Sequence, residues 1–186
     1  MKRFFFLFAM LLAPLAWAQG GPHFMHGFGY DYSIGTPRNA SEQLFMGNGL
    51  SYAPRYVFPV NENLSYGLGL PLGASIVQSV IAMNNQSALG WNYALCADVH
   101  VGMGATESST SWLGCFFGLG FGTYNLTYFN VVGTSTDAHY GPFVQVGFRI
   151  PYNGEDISVA VANWRGINAA NGRSQVFALK LIYELY

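Results

Sequence analysis

The sequence predicts an all-β chain: eight antiparallel strands closed into an up-and-down barrel that turns its oily face outward, toward lipid. Three observations carry this prediction. The first is a period of two, kept over long stretches. Residues 90–103 place Trp91, Tyr93, Leu95, Ala97, Val99, Val101 and Met103 on one face and Asn92, Ala94, Cys96, Asp98, His100 and Gly102 on the other, as successive strand side chains must. The second is composition: only 9% of residues are charged while 17% are aromatic and 23 are glycine, against about 25% charged in an ordinary soluble domain. The mean hydropathy, +0.23, agrees. The third is the strand count, since an even number lets the first and last strands pair and leaves no open edge.

The elements follow in order. Residues 1–18 have the parts of a secretory signal peptide: Lys2 and Arg3, an apolar run from Phe4 to Leu12, and Ala16-Trp17-Ala18 before a cut ahead of Gln19. A short segment, 19–26, leads to the barrel, 27–186. His23 and His26 in that segment read as solvated tail residues, because Gly20, Gly21 and Pro22 oppose a metal-binding helix. In the first strand Phe28, Tyr30, Tyr32 and Ile34 alternate with Gly27, Gly29, Asp31 and Ser33. A loop over 36–49 precedes a second strand with Leu50, Tyr52, Tyr56, Phe58 and Val60 outward and Ser51 and Arg55 inward, and Asn61-Glu62-Asn63 is a tight turn. Tyr66, Leu68, Leu70, Leu72 and Ile76 mark the third strand, in which Pro71 predicts a bulge.

After a loop over 79–89 comes the 90–103 strand, and 106–110 turns the chain back. Leu113, Phe117, Leu119 and Phe121 then oppose Gly114, Gly118, Gly120 and Gly122, small residues that let a closed sheet curve. Beyond a loop over 130–136, the sixth strand sets Tyr140, Val144, Val146, Phe148 and Ile150 against His139, Gln145 and Arg149, and Asn153-Gly154 is a hairpin signal. Ile157, Val159 and Val161 open a seventh strand ending near Trp164; Asn171-Gly172-Arg173 leads to the last, where Phe177, Leu179, Leu181, Tyr183 and Leu185 alternate with Ala178, Lys180, Ile182 and Glu184.

Connections after strands two, four and six are mostly short and those after one, three and five longer, although the loop after strand seven is shorter than this rule asks. Short turns at one rim and long loops at the other are the asymmetry of outer-membrane barrels, with both chain ends at the periplasmic rim. On that topology Tyr66, Trp112, Tyr152 and Tyr183 form an aromatic belt toward the periplasmic rim, and Trp91, Tyr124, Tyr128 and Trp164 one toward the outer rim.

With these features the chain resembles the small eight-stranded outer-membrane barrels of Gram-negative bacteria. A closing strand that ends in the aromatic Tyr186 belongs to that pattern, and the segments Gly-Cys-Phe-Phe-Gly-Leu-Gly-Phe-Gly from Gly114 and Tyr-Gly-Pro-Phe-Val-Gln-Val-Gly-Phe-Arg from Tyr140 are most similar to uncharacterised barrels of the Bacteroidetes type. The resemblance implies residence in the outer membrane, contact with its lipid and lipopolysaccharide, insertion by the barrel-assembly machinery and surface partners met through extracellular loops.

The inward set gathers Asp31, Arg55, Asp98, His100, Arg149, Lys180 and Glu184. Each would cost roughly 2–4 kcal/mol in lipid, so they are expected to neutralise one another as an ion-paired plug in a lumen only wide enough for side chains. The expected role is non-enzymatic: structural, or surface-interacting through the loops. A gate using Asp98 and His100 is the lesser functional reading of that cluster. An outer-membrane lipid-modifying hydrolase or acyltransferase is an alternative, for which Ser135, Asp137 and His139 are the candidates. A periplasmic lipocalin-like binder of apolar ligands would invert the faces, and a helical membrane protein, suggested by the Gly114, Gly118, Gly122 spacing, conflicts with the period of two. Cys96 and Cys115 have opposite parity, so a disulfide is not favoured, and neither a metal nor another cofactor is indicated. A net charge of −1 without a basic cluster beyond the signal excludes nucleic acid as a partner.

Overall fold

The computed structural model describes residues 21–36, 44–79, 87–106, 108–130, 133–167 and 174–185, and these form one closed antiparallel barrel. Its strands are β1 (His23–Gly35), β2 (Phe45–Tyr52), β3 (Arg55–Asn61), β4 (Leu64–Gly69), β5 (Leu72–Ser79), β6 (Ser87–Gly102), β7 (Gly114–Asn130), β8 (Gly133–Tyr152), β9 (Glu155–Arg165) and β10 (Gln175–Leu185). Ten strands make eight staves. β2 and β3 both pair with β1, and β4 and β5 both pair with β6, so each couple is one stave broken in the middle. Pairing of β1 with β10, from His26 opposite Leu185 to Gly35 opposite Val176, closes the barrel.

Both breaks have the same cause. Proline lacks the N–H that a central ladder needs, and Pro54 and Pro71 stand next to each other on neighbouring staves, where Leu70 N–H donates to Pro54 O at 2.9 Å and Ala94 N–H to Pro71 O at 3.0 Å. The expected irregularity at Pro71 is therefore half of a paired bend whose other half is Pro54. The Asn153-Gly154 hairpin has φ of 54° and 91° at its two central residues, the left-handed pair of a two-residue hairpin turn.

Several strands run further than the residue pattern suggests. Phe45 to Gly49 belong to β2 rather than to a loop, and β7 and β8 continue as a paired ribbon up to Asn130 opposite Gly133. The barrel begins at His23 instead of Gly27. His26 is then a strand residue, bonded through Nδ1 to the Tyr52 hydroxyl at 2.8 Å, and not part of a tail. Glycines within 45–49 and the polar run over 133–137 hide the alternation, but backbone pairing with a neighbour extends the strand regardless.

The faces divide as their chemistry requires for lipid. Leu95, Phe117 and Leu179 are 65%, 46% and 51% exposed on the outer wall, while Asp98 and Arg149 are 2% and 0% exposed. Cys115 lies outside and Cys96 inside, both unbridged. This is the reverse of a soluble lipocalin-like barrel, whose apolar face would be enclosed.

Candidate functional site

Inside the wall, the side chains fall into an ionic layer toward the rim that carries the chain ends and an aromatic layer toward the opposite, loop-bearing rim. Glu184 on β10 is the hub of the first. Its Oε2 meets Arg149 Nε at 2.6 Å, its Oε1 meets Arg55 Nη2 at 3.3 Å, and Ser158 Oγ donates to Oε1 at 3.0 Å. One carboxylate thus offsets two guanidinium groups brought from β3 and β8. Phe116 on β7 is the plate they share: Arg149 Cζ lies 4.8 Å and Arg55 Cζ 5.3 Å from its ring centre, and the His100 ring stacks at 5.9 Å. Such cation–π contacts strengthen where water is excluded. The ring fits because its neighbour on β8 is Gly147, where a Cβ would come within 2.5 Å of it.

Asp98 is held apart from that hub. Gln145 Nε2 donates to its Oδ1 at 2.8 Å, and the Cys96 thiol lies 3.7 Å from Oδ2. Asp31 and Lys180 sit directly opposite each other on β1 and β10, and Lys180 Nζ lies 5.2 Å from the Trp164 ring centre. The chain-end rim is covered by the β6–β7 connection. Arg149 Nη1 donates to Gly104 O at 2.7 Å, Ala105 is fully buried, and Thr106 Oγ1 donates to Glu62 O at 2.7 Å.

The aromatic layer was not anticipated. Phe45, Val77, Tyr124, Leu126, Phe143, Trp164 and Val176 pack together inside the barrel. Tyr124 donates or accepts at Ser33 Oγ (2.9 Å) and Ser75 Oγ (3.3 Å), and its ring lies 5.9 Å from Trp164, which in turn meets Phe143 at 4.8 Å. Tyr124 and Trp164 are 0% and 1% exposed, so neither belongs to an outer aromatic belt. The correction follows from parity: Trp164 shares a face with Ala160 and Ala162, and Tyr124 with Gly118, Gly120 and Gly122, all turned inward. Tyr128, on the same side of β7, packs partly buried against this cluster. Tyr66, Trp91, Tyr152 and Tyr183 are exposed on the outer wall, and Trp112 is exposed in the β6–β7 connection. All seven expected lumen residues, Asp31, Arg55, Asp98, His100, Arg149, Lys180 and Glu184, are buried.

Above the aromatic layer, at the loop-bearing rim, Asp137 and His139 share the inward face of β8. His139 Nε2 lies 3.4 Å from Asp137 Oδ2, and His139 Nδ1 is hydrogen-bonded to the hydroxyl of Ser174, the residue preceding β10. The serine brought to this pair is Ser174 and not Ser135, which is exposed beyond it. Ser174 is invisible to local reading because it meets His139 across the barrel wall, 35 residues away in sequence.

Neither family models nor curated proteins match this chain. Solved structures do. The attachment invasion locus protein Ail of Yersinia pestis, crystallised with the heparin analogue sucrose octasulfate, aligns at a TM-score of 0.59 and 12% identity over 88% of this chain and 99% of that one. Neisserial surface protein A aligns at 0.59 and 9% identity over 89% and 99%. The fold is therefore that of the small bacterial outer-membrane β-barrels.

Proposed function

We propose that this chain is a non-conducting barrel of the outer membrane, contributing to the structure and surface of the envelope. The observation that carries this reading is the Glu184 hub with Arg55 and Arg149. Ionisable groups at membrane depth are compatible with stability when enclosed and paired, and here the paired Arg55, Arg149 and Glu184 lie at one end of the lumen while the Tyr124, Phe143 and Trp164 layer fills the other. The outer wall faces lipid and, on the loop side, lipopolysaccharide; insertion falls to the barrel-assembly machinery. The loop-side connections, rich in Asn, Ser, Thr and Gly, are the surface offered to extracellular partners. The crystallised complex of Ail with a heparin analogue lends support to that kind of role. Planar-bilayer recording of the folded protein tests the reading: no stable open-channel current is expected, and a steady conductance that persists at neutral pH would overturn it.

A further inference from the structure

Apart from the ionic layer and the lipid-facing wall, the loop-bearing rim holds a polar array that neither role uses. We propose that Ser174, His139 and Asp137 form a serine-nucleophile site acting on carboxylic esters, an activity beyond the structural role above. The three come from the inward face of β8 and the start of β10, with Asp137 Oδ2 3.4 Å from His139 Nε2 and the other ring nitrogen on the Ser174 hydroxyl. The Asp137 carboxylate 3.4 Å away favours the proton on Nε2 electrostatically, which leaves Nδ1 as the lone-pair nitrogen facing the Ser174 hydroxyl, the arrangement a general base requires.

The two ring nitrogens exchange their usual partners relative to a trypsin-like triad, but base and orienting carboxylate keep their roles, and it is roles that define such a site. Among the described residues of β8, Asp137 is the last buried inward residue on this side, and the next, Ser135, is exposed. An ester therefore approaches from the loop side. Passage through the barrel is blocked below by the packed side chains of Tyr124, Leu126, Phe143 and Trp164.

The step balances with water as the second reactant. Ser174 Oγ adds to the ester carbonyl carbon as its proton passes to His139 Nδ1. The carbonyl-to-alkoxy bond breaks, and the alcohol leaves with that proton, giving acyl-Ser174. Water, deprotonated by the same nitrogen, then releases the carboxylic acid and restores the serine. The test uses the full-length protein folded in detergent, a fluorescent fluorophosphonate and p-nitrophenyl butyrate. The wild type is expected to be labelled and to hydrolyse the ester; Ser174→Ala should lose both, and Asp137→Asn should slow both by about 100-fold or more. Gel mobility before and after boiling reports folding of each variant. A folded wild type that takes no label overturns the proposal, as does labelling that survives Ser174→Ala or is lost in Ser135→Ala instead.

Discussion

Glu184 shows how a carboxylate can be both buried and indispensable. Its two oxygens meet Arg55 and Arg149, and Ser158 supports one of them. Replacing Glu184 by glutamine keeps the shape and removes the negative charge that both guanidinium groups meet beside Phe116. Breaking one side of a buried ion pair costs about 3–5 kcal/mol, so Glu184→Gln should unfold at clearly lower urea than the wild type, followed by loss of the fast-migrating folded band on unheated gels. Unchanged stability would mean that the pairing contributes nothing. At this scale the sequence was informative where parity was followed. Every charged residue placed inward by alternation is buried, whereas residue type alone puts Tyr124 and Trp164 at a membrane interface and their parity with neighbouring Gly and Ala residues puts them inside, where they lie.

At the scale of the strand, the period of two decides which positions tolerate charge. Leu95 lies near the middle of β6, is 65% exposed, and faces outward between the two rims. An arginine there should cost roughly 2–4 kcal/mol, but one at Tyr152, beside the β8–β9 turn, only about 0–1 kcal/mol, because the cost falls with distance from the bilayer midplane. Urea unfolding of Leu95→Arg and Tyr152→Arg in lipid vesicles checks the difference, and equal costs at the two positions would contradict a lipid-facing wall. The eight staves and their order were legible from alternation and from turn residues such as Asn153-Gly154. The starts of β2 and β8 were not. Glycines within 45–49 and the polar run over 133–137 hide the alternation there, and a strand needs only its neighbour's backbone, not an apolar face, to continue. The joint effect of Pro54 and Pro71 likewise depends on their lying side by side on adjacent staves, a register no single stretch of sequence contains.

For the whole molecule, the lumen and the wall exchange the positions they hold in a soluble protein: charge is enclosed, and leucine, valine and phenylalanine form the surface. Closure of β10 on β1 then does two things at once. It removes the open sheet edge, and it brings Lys180 opposite Asp31 and Glu184 toward Arg55 from distant parts of the chain. The meander from β8 through β9 to β10 places Ser174 at the rim beside His139, which explains why the candidate site was half legible: Asp137 and His139 are two residues apart on one face, while their third member arrives only through the fold. The account rests on the outward direction of the apolar face, and lipid quenching measures that direction. With Cys96 and Cys115 replaced by alanine, a fluorophore attached at Leu119→Cys, 53% exposed on β7, should be strongly quenched by phospholipids brominated along their acyl chains and hardly at all by aqueous iodide. Quenching by iodide with no response to the brominated lipids would contradict it.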